Sequence, residues 1–302
     1  MRISHECTLD YGSSMTDTII FDFFGTLVDY SHSRRVQNYS TSHSFLEANG
    51  ASIAYEQYVL SWDEAFCTLE NESQKTLIEF SLDDVVDRFS DRNADMPMAK
   101  EQKSEFIELF LIEWCAEIRP IENLETALNK LSSGYKLGVV SNTHHKPLVP
   151  GLLEKFGLSK YFETVVTSIE HGRPKPHESI YKAALSRLES RPENSVFVGD
   201  SYEHDYVAPR RLGLESFLVS QSPPANIPKE HVLSQATEVL DYVLLATYQV
   251  PAGRPFGAGR PNRCAARAPL LQALVVILNL NYGILNEKDI DNICVYFHFS
   301  WL

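Results

Sequence analysis

Apolar positions along the chain fall into two rhythms, with a break near residue 118. After fourteen mostly polar residues, an extension expected to be disordered, Thr18-Ile19-Ile20-Phe21-Asp22 reads as a short buried strand ending in a carboxylate. Residues 30–117 then place apolar side chains at helical spacing, as in Phe45-Leu46, Tyr55, Tyr58-Val59, Trp62, Phe106, Leu109-Phe110 and Trp114. Several amphipathic helices are expected there, with no strand among them. From Arg119-Pro120 onward helix and strand alternate. Helices are predicted at 124–131, 147–156, 179–188, 206–212 and 232–245, and short apolar strands at 136–140, 165–167, 196–198 and 216–219. Short strands between helices imply a parallel sheet covered on both faces, whose ligands sit at the carboxyl ends of the strands. The expected architecture is α/β: a doubly wound parallel sheet from residues 15–29 and 118–247, with an all-helical domain inserted at 30–117.

The chain has 302 residues, 44% of them hydrophobic, enough for a core domain and a smaller companion. A net charge of −13 offers no basic field to displace counterions from a polyanion, so nucleic acid is not expected as a partner. A small anionic metabolite remains compatible, because a metal or a few cations can reverse the sign inside one cleft. The five cysteines are scattered without CxxC spacing, which suggests neither a disulfide framework nor a zinc site. No apolar signal core is seen at the N-terminus. The longest apolar run, Leu270–Leu278, is interrupted by Gln272 and falls far short of a membrane span. A cytoplasmic protein without membrane association is expected, and the sequence is silent on oligomeric state.

Polar residues occupy the strand ends in a fixed order: Asp22-Phe23-Phe24-Gly25-Thr26, Ser141-Asn142-Thr143, Lys175-Pro176, and Gly199-Asp200-Ser201-Tyr202-Glu203-His204-Asp205. Taken together, these four segments resemble the four motifs of the haloacid dehalogenase superfamily over about residues 15–247. The helical insertion straight after the first motif is similar to that family's first type of cap. The resemblance implies a Rossmann-like core, a helical cap and hydrolysis through a covalent aspartyl intermediate.

Residue chemistry agrees with that implication. The carboxylate of Asp22, at a strand end before a glycine-bearing turn, is the candidate nucleophile. Ser141 and Lys175 are suited to donate to the oxygens of a bound phosphoryl or carboxylate group, and Lys175 also to hold Asp22 ionised. Asp22, Asp200 and Asp205, with the backbone carbonyl of Phe24, resemble a Mg²⁺ site of hard oxygens. Thr26, Asn142, Arg35 and His144 are candidate substrate contacts, although Thr26 reads equally as a turn-capping residue.

One position departs from the resemblance. Phosphatases of this superfamily usually carry a second aspartate two residues after the nucleophile, which protonates the leaving oxygen and later activates water. Phe24 stands there and cannot transfer a proton. Losing a general acid/base costs about 10² to 10⁴ in rate. Three readings follow. The first is a metal-dependent hydrolase of a phosphorylated or phosphonate metabolite whose leaving group is good already, or whose own groups or cap residues handle the proton. The second is a 2-haloacid dehalogenase, a branch similar in having an aromatic residue here, though its fourth motif usually lacks the metal-binding aspartates. The third is a binding or regulatory protein that kept the fold.

Other residues admit a functional and a structural reading side by side. His144 and His145 lie at a strand end, suited either to substrate or to an exposed loop. His204 is expected to face solvent. Arg34 and Arg35 open the insertion, either as a clamp for a substrate carboxylate or as a cationic turn on a solvated helix. Arg173 is expected to order the loop that aims Lys175. The aromatic residues Phe45, Tyr58, Trp62 and Trp114 are expected to pack between helices rather than line a substrate box. Residues 248–302 shift in composition, with Pro and Gly breaking the first part and five Lys/Arg against three Asp/Glu overall. This irregular tail reads either as a docking helix near 270–280 followed by an aggregation-prone strand, or as no evolved module, and no chemistry is assigned to it.

Overall fold

A computed structural model describes residues 16–30, 37–93 and 98–248. The expected extension at 1–14, Arg34, Arg35 and the tail beyond residue 248 lie outside the described residues. Strand β1 (Thr18–Phe21) leads through a tight turn to the two-residue β2 (Val28–Asp29). Four helices follow: α1 (Ser40–Ala48), α2 (Tyr55–Thr76), α3 (Leu82–Arg92) and α4 (Lys100–Trp114). The chain returns through β3 (Arg119–Pro120), which pairs antiparallel with β2. It then alternates through α5 (Leu124–Leu131), β4 (Lys136–Ser141), α6 (Leu148–Lys155), β5 (Thr164–Thr167), α7 (Ser168–His171), α8 (Glu178–Arg187), β6 (Ser195–Gly199), α9 (Ala208–Arg211), β7 (Glu215–Val219), β8 (Val232–Leu233) and α10 (Val239–Tyr248).

The large sheet has the order β5-β4-β1-β6-β7-β8, and every neighbouring pair is parallel. The chain steps outward from β1 through β4 to β5, then crosses back to β6 on the other side of β1. That reversal leaves a crevice where the carboxyl ends of β1, β4 and β6 meet, the usual ligand position of an open α/β sheet. Burial follows the two-residue period of the strands. Ile19 and Phe21 join Leu137, Val139, Val196 and Val198 in one apolar cluster. Ile20, between them, joins Val140, Phe197, Ile180 and Tyr181 in the cluster on the opposite face. Both faces are therefore dry, as expected for a parallel sheet between helical layers.

The four inserted helices have an apolar core of their own, built on Tyr58, Trp62, Phe89, Phe106 and Phe110. Local signals set their ends. Leu77 takes a left-handed conformation (φ 50°) and stops α2. Ser81 and Asp84 form a reciprocal capping box that starts α3, with the Asp84 amide donating to Ser81 Oγ at 3.1 Å and the Ser81 amide to Asp84 Oδ2 at 2.7 Å. Tyr58 and Trp62 are buried between helices as expected. Among the described residues no helix is long and apolar enough to cross a membrane.

Two predicted elements differ from those observed. The helix expected over 232–245 starts only at Val239. Val232 and Leu233 instead form the edge strand β8, in register with Leu218 and Val219 of β7. The Glu238 carboxylate accepts from the Ser234 amide at 2.8 Å, which draws residues 234–238 into a turn ahead of the helix. The helix expected over 206–212 is preceded by a wide π-helical turn, Tyr202–Val207, which carries Asp205 back toward the sheet.

Phe106 is fully buried and its ring meets those of Phe45, Tyr58, Trp62 and Phe89. Phe106→Ala should lower the stability of the helical insertion by about 3–5 kcal/mol, through lost transfer energy plus a residual cavity. Urea unfolding followed by tryptophan fluorescence measures this, and a loss under 1 kcal/mol would contradict the packing described.

Candidate active site

Asp22 continues β1 by one residue, its amide donating to the Val198 carbonyl of β6 at 2.9 Å. The chain then turns sharply, with Leu27 N donating to Phe23 O and Gly25 N to Val28 O, both at 2.9 Å. Gly25 adopts φ +77°, and a Cβ there would lie 2.3 Å from Asp200 Oδ2. Gly199 is as constrained, since its Cβ would stand 2.4 Å from the Asp205 side chain. Both glycines thus leave the room in which the carboxylates approach one another.

At the centre lies Lys175, with its side chain only 3% exposed. Its Nζ sits 2.7 Å from Asp22 Oδ1 and 2.7 Å from Asp205 Oδ1. Asp205, fully buried, also accepts from the Ser201 amide at 2.9 Å. Burial disfavours charge on Lys175, but Asp205 and Asp22 outweigh it and raise the ammonium above its ordinary range. Asp22 is pushed up to about 7, first by burial and then by Asp205 and Asp200, which together exceed the opposing pull of Lys175. Carboxylate oxygens of Asp22, Asp200 and Asp205 lie within 4.8 Å of one another. Among the described residues Lys175 pairs with Asp22 and Asp205 in a largely dry crevice. The hard-oxygen donor set and the space kept open by Gly25 and Gly199 fit a divalent cation such as Mg²⁺.

A cavity of about 510 Å³ opens above these groups, lined by Asp22, Ser141, Asn142, Lys175, Asp200 and Asp205 among others. Ser141 is buried at the end of β4. Asn142 also lines the cavity, but both ends of its amide serve the Lys175 backbone. Lys175 N donates to Asn142 Oδ1 at 2.7 Å, and Asn142 Nδ2 donates to Lys175 O at 3.0 Å. It therefore fixes the segment that presents the lysine. Thr26 is buried with no hydrogen-bond partner for its hydroxyl and lines a separate cavity beside Gly25 and Asp29. His144 lines the main cavity while held by the helical insertion. Its Nδ1 lies 3.0 Å from Glu79 Oε1 and its ring stacks on Phe80 at 4.1 Å. Arg173 donates to the carbonyls of Thr76 and Leu77 at the end of α2, so it joins the Lys175 loop to the insertion.

His204 does not simply face solvent as expected. It is part-buried on the π-helical turn and lines the cavity, and burial, followed by Lys175, lowers its pKa. Trp114 packs against the core of the inserted helices as expected, and it also meets Phe24 at 5.4 Å and Tyr30 at 6.3 Å, is half-buried and lines the cavity. Tyr30 escaped sequence reasoning, although its position straight after the Val28-Asp29 pair placed it near the first motif. Its phenol is pushed up to about 12 by burial, then by Asp200 and Asp22. Glu79 was also missed. Its side chain is 2% exposed and Oε2 has no hydrogen-bond partner.

Comparison with known proteins places the chain in a family. A family model for haloacid dehalogenase-like hydrolases matches residues 16–213. The haloacid dehalogenase-like hydrolase domain-containing protein 3 of Xenopus laevis is 37% identical over 111 residues, covering 35% of this chain and 45% of that protein. Glyceraldehyde 3-phosphate phosphatase of Methanothermobacter thermautotrophicus is 34% identical over 125 residues, covering 41% and 54% respectively. The matches thus span about half the length of these curated relatives. Among solved structures, a 2-haloacid dehalogenase from Pseudomonas syringae pv. Tomato DC3000 superposes with a TM-score of 0.59 at 18% identity, over 77% of this chain and 100% of that one, a likeness of fold alone. With the matched family model spanning more than half of its length, the chain belongs to the haloacid dehalogenase-like hydrolases.

Proposed function

We propose that the protein is a Mg²⁺-dependent hydrolase of a small phosphorylated metabolite whose leaving group departs without a proton from the protein, with Asp22 as covalent nucleophile. The observation that carries this reading is the buried array of Lys175 between Asp22 and Asp205 with Asp200 alongside. The glyceraldehyde 3-phosphate phosphatase that the chain resembles in part supports phosphoryl rather than halide chemistry. The aromatic ring at Phe24 is the one feature that favours a 2-haloacid dehalogenase instead.

In this reading Asp22 Oδ attacks phosphorus, the bond to the leaving oxygen breaks, and an aspartyl-phosphate forms. Lys175 orients the nucleophile and favours its ionised form against the opposing effect of burial, and Ser141, from the end of β4, donates to a phosphoryl oxygen. Asn142 keeps Lys175 in place through the two backbone hydrogen bonds. Asp22, Asp200, Asp205 and the Phe24 carbonyl would hold Mg²⁺, which supplies positive charge for the phosphoryl oxygens when bound. Phe24 is packed edge-on against Phe23, Tyr30 and Trp114, and its ring offers no proton to the leaving group. The same ring offers no base to the water that later attacks phosphorus, so that water's proton must pass to a phosphoryl oxygen. Both half-reactions lack assistance, but a good leaving group rescues only the first.

Breakdown of the aspartyl-phosphate should therefore limit turnover. With an aryl phosphate, stopped-flow measurement should show a burst of phenol near one equivalent per enzyme before a slow steady state. Asp22→Asn should abolish both phases at unchanged or higher melting temperature. Turnover retained by that variant, once deamidation is excluded, refutes the covalent mechanism. Metal-independent halide release from 2-chloropropionate would favour the dehalogenase reading.

Phe24→Asp should return a proton donor and raise kcat/KM, which reports formation of the aspartyl-phosphate, on alkyl phosphates at least tenfold more than on aryl phosphates. An equal gain on both, in a variant that still melts cooperatively, contradicts the missing-acid account.

Millimolar Mg²⁺ should raise the melting temperature of the wild type by mass action, and much less that of Asp200→Ala. Without metal the native state holds the Asp22 proton up to about pH 7, well above the ordinary carboxyl value of 3.8. A proton then competes with the cation, so the Mg²⁺ effect should be larger at pH 8 than at pH 5.5. Equal shifts in both proteins, or no dependence on pH, count against the metal assignment.

A further inference from the structure

The two sides of the cavity differ in chemistry. The sheet side presents the carboxylates, Ser141 and Lys175, whereas the far side is aromatic and aliphatic: Tyr30, Phe66, Phe110, Leu111 and Trp114, continuous with Phe24. Phe24 meets Tyr30 and Trp114 edge-on, at ring-centroid distances of 5.6 and 5.4 Å, and Tyr30 meets Trp114 in a tilted contact at 6.3 Å. All three are only partly buried although packed against the apolar core. All three line the cavity that holds Asp22.

Charge points the same way. Among the described residues lining the cavity Lys175 is the only Lys or Arg, and its ammonium is already engaged by Asp22 and Asp205. Glu70 lines the cavity too, and burial lowers the pKa of His145. A second anionic group on the substrate would find there, besides Glu70, the histidines His144, His145 and His204 and no described Lys or Arg other than Lys175. At about 510 Å³ the cavity falls inside the usual range of small-molecule pockets, about 300–1,000 Å³, and has room for a ring system beyond the phosphoryl group.

Resting on the phosphohydrolase reading above, we propose that the substrate is the phosphate monoester of a phenol, its flat aromatic leaving group packed against Phe24, Tyr30 and Trp114. Recognition and chemistry reach this class independently. The wall favours a ring through edge-to-face and stacking contacts. The absence of an acid at position 24 favours a leaving oxygen of low basicity, and phenols ionise with pKa about 10. The bond from phosphorus to the aryl oxygen breaks as the bond to Asp22 forms, and the phenolate takes its proton from water. A second water then releases phosphate and restores Asp22.

The test uses the full chain with Mg²⁺ and four substrates: 1-naphthyl phosphate, 4-nitrophenyl phosphate, acetyl phosphate and 2-phosphoglycolate. Acetyl phosphate has a good leaving group but no ring, so it separates the wall from the chemistry. The two aryl esters should exceed acetyl phosphate in kcat/KM at least tenfold, chiefly through KM. Trp114→Ala should raise KM for 1-naphthyl phosphate about tenfold with a much smaller change in kcat, and Trp114→Phe should restore most of the loss. Should Trp114→Ala fail to fold, Leu111→Ala reads the same wall. Acetyl phosphate or 2-phosphoglycolate turned over as well as the aryl esters, or a KM indifferent to these variants, overturns the aryl assignment and leaves the phosphohydrolase reading standing. Absence of turnover on all four overturns both.

Discussion

The ammonium of Lys175, lying 2.7 Å from both Asp22 and Asp205 in a buried crevice, is the contact around which the rest of the site is arranged. An unpaired charge in such a place would be strongly unfavourable, and a pair this dry persists only when the surrounding backbone holds its geometry. Asn142 clamps the lysine segment, Arg173 joins its loop to the end of α2, and the Ser201 amide fixes Asp205. Gly25 and Gly199 permit the approach of Asp200 and Asp205 by having no side chain. Three carboxylates converge there with oxygens within 4.8 Å of one another, a hard-oxygen set that fits a divalent cation.

The topology explains why these groups meet at all. Asp22 follows β1, Ser141 ends β4 and Asp200 follows β6, and these three strands are neighbours at the point where the sheet reverses direction. Each was legible in the sequence, because a short apolar run ending in a polar residue marks a buried strand and its end. Lys175 and Asp205 lie on a loop and a π-helical turn, where no periodicity marks them, and were identified through the resemblance of their motifs.

Other features left no trace in the pattern. β8 is two residues long and followed by polar residues, so its apolar pair merged with the helix behind it. The contact of His144 with Glu79 spans 65 positions, and nothing local announces it. Trp114 lies at helical spacing whether it faces the helix core or the cavity, so its part in the aromatic wall was visible only in three dimensions. Asn142 looked like a substrate contact until both ends of its amide were found on the lysine backbone. In each case the missing information was which face of an element looks inward.

Phe24 ties fold to chemistry. In the proposed reaction an aspartate there would serve both half-reactions, whereas a phenylalanine packed against Tyr30 and Trp114 offers no proton and extends an apolar wall beside Asp22. The account rests on a covalent phosphoryl bond to Asp22 that forms readily and breaks slowly. Acid quenching of the protein during turnover of an aryl phosphate, followed by peptide mass spectrometry, measures this directly. The account predicts one phosphoryl group on the peptide containing Asp22, at near-stoichiometric occupancy. Turnover with no phosphoryl on the protein, or with the group on another residue, would contradict it.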